Sequence, residues 1–464
     1  MLSDFICAGV ETFYGILRRF VNEPERGFDN HFTEENIKNL FDLTCNKFLH
    51  SFGQNFVKRE NTNGYAKSEA NKLYEIKRSN MFKNCLLYVD SGGFQISKGV
   101  LNLNQTNMLY RMYYDFLQEF HDCYDISFIL DLPPGQGGNP KFFETFKDVF
   151  DWNFRSYNEA ASLPAKARDK MIYIHHFRTP ELWTIFTRIL REGDLFKHFK
   201  YHGTGGMVAN LASDAQTPCI TYILPLIPLI NEAKRNKRDF LNFHVLGIGN
   251  YRDIFFYELF KIHVQKVHKI NLQITYDSAG VFHQFNRARY LLIYDDNDNH
   301  VIKMRLNSEN LDKRFGRKDK RVIEAYREII SNFAKIYHLK QIPMNQIYQN
   351  EGEGTFFDEI KVYSMLYMLE SYRKVQTLLK SKCEFLYPLY SSRQIQEFSH
   401  EAELITRSLN YSKITRKQKA KTNSLIRSLD MLTTLDEDYC EYIVKRFLSK
   451  DEFTNLLNTE SMIL

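Results

Sequence analysis

The sequence predicts an α/β protein: a (β/α)8 barrel of the TIM type with a basic helical C-terminal extension. Six short apolar runs recur along the chain, and each leads into Gly, Asp or His. Between them lie segments of helical period, such as NMLYRMYYDFLQEFHD and PELWTIFTRILREG. Apolar strands without alternation are buried on both faces, as in a parallel sheet flanked by helices. Six such units at this spacing favour a closed barrel over an open sheet.

The runs, in order, are CLLYVDSGG (85–93), ISFILDLPPG (126–135), MIYIHHF (171–177), FKYHGTGG (199–206), FHVLGIGN (243–250) and LQITYDSAG (272–280). Next comes QFNRARYLLIYDDNDNHVIKMRL, where two β-rich runs flank DDNDN. That pattern reads as a hairpin inserted near 288–306. Further on, FFDEIKVYSMLYMLESYRKVQTLLKSK reads as a long amphipathic helix that closes the outer ring of the barrel. Residues 1–382 are therefore expected to form the barrel with its hairpin insertion. Residues 383–464 are expected to form a basic helical extension that binds nucleic acid. Between Glu403 and Asp430 there are seven Lys or Arg and no acid.

Composition narrows the function classes. Of the 464 residues, 44% are hydrophobic, enough for a sizeable core. The net charge of +6 is a mild basic bias, compatible with a polyanionic partner. Seven cysteines are scattered with no CxC or CxxC pair, which argues against a disulfide framework and a sequence-local zinc site. A reducing, cytoplasmic setting fits that usage. The apolar N-terminus lacks a basic leader region and is broken by Asp4 and Glu11, unlike a signal peptide. The longest apolar candidate, ITYILPLIPLI, is too short to span a bilayer and carries two prolines, so no membrane association is expected.

In a barrel the C-terminal strand ends form the active face. They carry Asp90, Asp131, the pair His175–His176, Gly205–Gly206, Gly247, Gly249 and Asp277. One strand-end Asp is commonly a helix cap. Three converging on one mouth point to chemistry: one carboxylate can attack an anomeric carbon, another can move protons, and a third can read the substrate. The stretch DSGGFQ has no phosphate-loop pattern. Its glycines would let backbone approach a flat ligand, with Phe94 as a stacking face. Neighbouring strand residues point to opposite faces, so only one of His175 and His176 can face the mouth. A polar pocket residue or a core histidine accounts for them better than a metal site.

Several stretches, in order, resemble the tRNA-guanine transglycosylase superfamily over roughly residues 85–380. Asp90–Gln95 is similar to its DSGG[FY]Q box, FILDLPP to the strand bearing a base-recognising Asp, and HGTGGMV and HVLGIG to its glycine-containing strands. TYDSA resembles the nucleophile strand, and NRAR (286–289) the basic stretch that follows it. The resemblance implies that Asp277 attacks C1′ of a guanosine nucleotide and that Asp90 is the general acid/base. It also implies that Phe94 stacks on the base and that Asp131 accepts hydrogen bonds from its edge. Gly206 and Leu246, with the neighbouring Gly247, would supply backbone contacts, Met207 would pack on the ring, and Ser91 would adjoin this shell. His176 stands where the family carries a glutamine. It implies no cofactor and no redox or metal step. The family's cysteine-rich zinc motif is missing, since no Cys lies between Cys219 and Cys383.

A basic C-terminal extension in place of that zinc subdomain is most similar to the DNA-guanine transglycosylase branch. The expected reaction is exchange of guanine in DNA for a 7-deazaguanine base through a covalent glycosyl-aspartate. A target inside a duplex must be flipped out or single-stranded, and nothing in the sequence marks a protein partner that opens the duplex. Phosphate-contact candidates are Arg287, Arg289, Lys313, Arg314, Arg317, Lys318, Arg416, Lys417, Lys419 and Lys421. Competing readings are exchange on tRNA, a non-catalytic nucleic-acid-binding barrel subunit, and a hydrolase of small glycosides. The pair Asp90 and Asp277 weighs against the second, and the basic C-terminal third against the last.

Overall fold

The computed structural model describes residues 4–22, 33–56, 64–93, 96, 100–132, 146–176, 180–192, 194–205, 222–248, 251–277, 290–295, 300–305, parts of 369–384, and 427–447. Eight parallel strands close into a barrel in sequence order. They are β1 (Phe5–Ala8), β2 (Lys47–Ser51), β3 (Leu86–Asp90), β4 (Ile126–Phe128), β5 (Met171–His175), β6 (Tyr201–Thr204), β7 (Phe240–Val245) and β8 (Asn271–Asp277). The ring shuts where β1 meets β8, with Phe5 opposite Tyr276 and Ile6 opposite Asp277. The chain is a (β/α)8 barrel, as its pattern predicts.

Two strands escaped the apolar pattern. β1 has four residues and β2 five. The helix after β1 begins within two residues and is itself apolar on one face, so no change of composition marks the boundary. β4 is also shorter than its apolar run, ending at Phe128. The Ile129 N–H still reaches the Ile172 carbonyl of β5 at 3.0 Å, and the chain then turns, with the Asp131 N–H donating back to the Ile129 carbonyl at 3.0 Å. Such a tight turn re-aims the side chain that follows the strand.

The outer layer includes α1 (Val10–Asn22), α2 (Glu34–Leu43), α3 (Tyr65–Arg78), α4 (Leu103–Glu119), α5 (Phe146–Ser162), α6 (Pro180–Glu192), α7 (Leu226–Arg235) and α8 (Tyr251–His268). Much of the aromatic content lies between these helices and the strands. Phe41, Phe48 and Phe82 meet with ring centroids 4.9–5.0 Å apart, and Phe52 packs on Tyr65 and Phe116 at 5.0 and 4.9 Å. Such edge-to-face pairs add to the hydrophobic gain from burying the rings.

Past β8, β9 (Tyr290–Asp295) and β10 (His300–Arg305) form the antiparallel hairpin expected around DDNDN. The described residues of 369–384 are helical, with Leu369, Leu379 and Cys383 fully buried. That helical stretch passes the expected boundary at 382, because Cys383 packs against the barrel beside the Phe255 carbonyl. Gln376 fastens it to the base of the barrel. It accepts from the Asp4 N–H at 2.8 Å and donates to the Asp4 carboxylate at 2.9 Å.

Residues 427–447 also belong to the barrel's outer layer. Leu429 and Leu432 are fully buried, and α9 (Glu437–Phe447) follows them. Asn231 of α7 donates to the Leu435 carbonyl at 3.0 Å and to Glu437 at 2.7 Å. His263 of α8 bonds the Thr433 hydroxyl at 2.9 Å. Over its described residues 427–442 the extension is thus docked on the barrel. No helix among the described residues is long and apolar enough to cross a membrane.

One side chain ties helix to strand ends. The Tyr113 hydroxyl of α4 reaches the Phe128 carbonyl at 2.6 Å and the Val89 carbonyl at 3.3 Å, joining the ends of β3 and β4. Tyr113→Phe leaves these buried carbonyls without that donor. It is expected to lower the unfolding free energy by about 1–2 kcal/mol, read as a lower denaturation midpoint at unchanged slope.

Candidate functional site

Strand alternation decides which side chains face the interior at the C-terminal mouth. On β8, Leu272, Ile274 and Tyr276 are buried against the helices, so Thr275 and Asp277 point inward. On β7 the inward residue near the end is His244, and on β3 it is Asp90. The mouth gathers Ser51, Asp90, Asp131, His176, Gly205, His244, Thr275 and Asp277 from seven strands or the residues just after them. The three carboxylates expected to converge do so: the charges of Asp131 and Asp277 both act on Asp90.

Asp90 stands opposite Ser51 in the β2–β3 ladder, and the Ser51 hydroxyl donates to its Oδ2 at 2.9 Å. Burial raises the Asp90 carboxyl from 3.8 to about 6, and the negative charges of Asp131 and Asp277 push the same way. The Ser51 hydroxyl and the Gly92 N–H pull against that rise. Asp90 therefore exchanges a proton near neutral pH.

The glycines after Asp90 serve backbone packing. Gly92 has φ +90°, which L side chains rarely adopt. A Cβ on Gly93 would lie 2.2 Å from the Asp131 carbonyl oxygen, and one on Gly53 would lie 2.6 Å from the Gly92 Cα. The chain after β3 is wedged between the ends of β2 and β4. This corrects the expectation that the glycines make room for a flat ligand: at Gly93 the neighbour is protein backbone. Ser91, expected beside the ligand shell, is fully buried, and its hydroxyl accepts from the Gly93 N–H at 3.3 Å. It caps the turn.

Asp131 sits on the irregular segment after β4, and α5 supplies what that segment lacks. Asn153 accepts from the Leu132 N–H at 2.9 Å and donates to its carbonyl at 3.2 Å, while Ser156 donates to the Leu130 carbonyl at 2.5 Å. Backbone on both sides of Asp131 is therefore held. His176 faces the same mouth, with Nε2 2.9 Å from Asp131 Oδ2. A Cβ on Gly205 would meet the His176 ring at 2.9 Å, so a glycine just after β6 admits the imidazole. His175 points the other way, into the helical layer, with Nε2 3.1 Å from His202 Nδ1. Burial holds its basicity well below the usual histidine range, as expected of a neutral core residue.

Asp277 is 6% exposed. Its Oδ1 accepts from the Gly247 N–H at 3.0 Å and lies 3.2 Å from His244 Nε2. Among the described residues, no hydrogen bond falls on Oδ2. Gly247, with φ +81°, thus secures a carboxylate rather than standing open to a base. The Leu246 N–H is spent on the Thr204 carbonyl at 3.0 Å, which leaves only its carbonyl for a ligand. Phe94, Gly206, Met207, Arg287, Arg289, Lys313, Arg314, Arg317, Lys318, Arg416, Lys417, Lys419 and Lys421 lie outside the described residues.

Ser51, His244 and Thr275 were missed by the sequence reading. A period-2 signal could have found the last two, since each lies two residues before a residue singled out in the sequence, Leu246 and Asp277. Among the described residues, one group has metal-ligating composition: Glu11, His50 and Glu69. It lies in the helical layer, since His50 points outward between α1 and α3. The two ring nitrogens face different carboxylates, Nδ1 toward Glu11 and Nε2 toward Glu69 at 3.3 Å, and Lys72 sits 2.7 Å from Glu69. A single cation could take only one of those nitrogens, and burial lowers the basicity of His50, so the group reads as a buried histidine clamped between two carboxylates, with Lys72 pairing Glu69.

No family model matches this chain, and no curated protein matches it.

Two outcomes test the geometry. Gly93→Ala is expected to cost about 1–3 kcal/mol by overpacking against Asp131, read by denaturant melts. Asp90 has a folded-state pKa above its unfolded value, so its ionisation penalises the fold. That penalty is absent below about pH 3.8, grows as pH rises and is complete above about 6. Asp90→Asn is therefore expected to stabilise the protein at pH 8 by roughly 2–3 kcal/mol, less at pH 5, and not at pH 3.

Proposed function

We propose that this protein is a transglycosylase that exchanges guanine in DNA for a 7-deazaguanine base by double displacement. One observation supports this reading above the rest: two carboxylates at the barrel mouth, Asp277 buried and Asp90 partly buried, have different surroundings. Asp90, raised to about 6, suits proton transfer, whereas Asp277 is anchored through Oδ1, with no hydrogen bond on Oδ2 among the described residues. The similarity of DSGGFQ and TYDSA to the transglycosylase boxes supplies the substrate class.

In the first displacement a lone pair on Asp277 Oδ2 bonds to C1′, and the C1′–N9 bond breaks. Its electron pair leaves with guanine, which takes a proton from the neutral carboxyl of Asp90. In the second, the incoming base gives its N9 proton to Asp90 and its N9 attacks C1′. The C1′–Oδ2 bond breaks and its pair returns to Asp277. Two inversions retain configuration at C1′. Asp131, with His176 beside it, presents a carboxylate edge to the donor groups of a guanine-like base. No cofactor enters this scheme. Contact with the phosphate backbone falls to the basic stretches at 287–289, 313–318 and 416–421.

The test is mass spectrometry of nucleosides from DNA and tRNA incubated in parallel with the protein and 7-cyano-7-deazaguanine. Incorporation into DNA is the expected result, and incorporation into tRNA alone would sink the choice of DNA. Asp277→Ala is expected to abolish both exchange and the covalent protein–DNA adduct while leaving the fold intact. Asp90→Ala is expected to stop turnover. An active Asp277→Ala variant removes the proposed nucleophile.

A further inference from the structure

We infer that His244 and Thr275 form a relay that makes Asp277 a good leaving group, and so controls release of the covalent intermediate. This inference rests on the transglycosylase reading above.

His244 and Thr275 face each other in the β7–β8 ladder, and both point into the barrel. His244 Nδ1 lies 2.9 Å from the Thr275 hydroxyl, and its Nε2 lies 3.2 Å from Asp277 Oδ1. A carboxylate oxygen can only accept, so Nε2 carries the hydrogen. In the neutral ring Nδ1 then accepts from the Thr275 hydroxyl, which holds that tautomer. The edge of the His244 ring packs on Phe128, with centroids 4.9 Å apart, so the ring has an apolar wall on that side. His244 is 1% exposed, and water does not compete for either nitrogen. Asp277 Oδ1 thus receives two donors, one from a side chain and one from the Gly247 backbone.

Those donors act unequally on the two half-reactions. They bind most strongly when the carboxylate carries full negative charge. When Oδ2 bonds to C1′, charge on Oδ1 falls and the two hydrogen bonds weaken. When the incoming base displaces Asp277, charge returns to Oδ1 and they strengthen in the transition state. The relay therefore disfavours a long-lived glycosyl ester and favours its breakdown. His244 is a positioning residue, since it acts through Asp277. Thr275 acts one step further back.

The experiment uses the full chain, a single-stranded DNA oligonucleotide containing guanosine, and 7-cyano-7-deazaguanine. Adduct formation and adduct release are timed separately by denaturing gel and intact mass. His244→Leu is expected to slow release roughly ten- to a hundredfold relative to formation, so that adduct accumulates. His244→Gln places an amide N–H near Nε2 and is expected to restore much of the release rate. Thr275→Val keeps the side-chain shape and is expected to shift the balance the same way by a smaller factor. Formation and release falling together in His244→Leu, with no recovery in His244→Gln, would make the role merely structural and overturn the inference. Unchanged partition in both His244→Leu and Thr275→Val would overturn it too. Absence of base exchange in the unaltered protein, with no adduct in either it or His244→Leu, overturns the transglycosylase reading itself, and the relay's role falls with it.

Discussion

Crowding three carboxylates, one buried and two partly buried, into the mouth of one barrel is the constraint that shapes the rest of this structure. Like charges in a low-dielectric setting repel and lose hydration, so each needs a donor from a neighbouring element. The barrel meets that need differently at each position. Asp90 receives a serine hydroxyl, Asp131 a histidine, and Asp277 a histidine and a backbone N–H. Asp90 is the least compensated. It feels both other acids against a serine hydroxyl and the Gly92 N–H, and its carboxyl rises to about 6. The same compromise that costs stability places a proton-exchanging group beside an anchored carboxylate.

Holding these groups takes more than hydrogen bonds to the carboxylates. The segments that carry them leave regular structure just where they reach the mouth, and the surrounding helices meet their backbone groups. Tyr113 joins the ends of β3 and β4, while Asn153 and Ser156 satisfy the backbone on both sides of Asp131. Close backbone approach replaces side-chain packing at Gly53, Gly92 and Gly93. Beyond the mouth, the layer of buried aromatic rings supplies the hydrophobic gain against which the charge burial is set. The segment around Thr433 and Leu435 joins that layer through Asn231 and His263, so part of the basic extension is barrel structure.

Much of the architecture was legible in the sequence because a buried parallel strand followed by a helix is a local pattern. Six of the eight strands announced themselves as apolar runs ending in Gly, Asp or His. β1 and β2 did not, being four and five residues long and merging with apolar helices. The glycines of DSGG were conspicuous, but their reason was not. Nothing local says that the Asp131 carbonyl will lie where the Gly93 Cβ would be. Gly247 was likewise conspicuous for a role it does not fill, since its N–H holds Asp277.

Sequence alone determined the barrel and the placement of Asp90, Asp131 and Asp277 at its C-terminal mouth, because strand ends follow from periodicity within a few residues. Only the tertiary structure decided how those carboxylates are held. Ser51 is 39 residues from Asp90, His176 is 45 from Asp131, and His244 is 33 from Asp277. Each pair is brought together by strand pairing or barrel closure and by the inward alternation of side chains. No local stretch records that pairing, so the residues that tune the chemistry appear only once the barrel is closed.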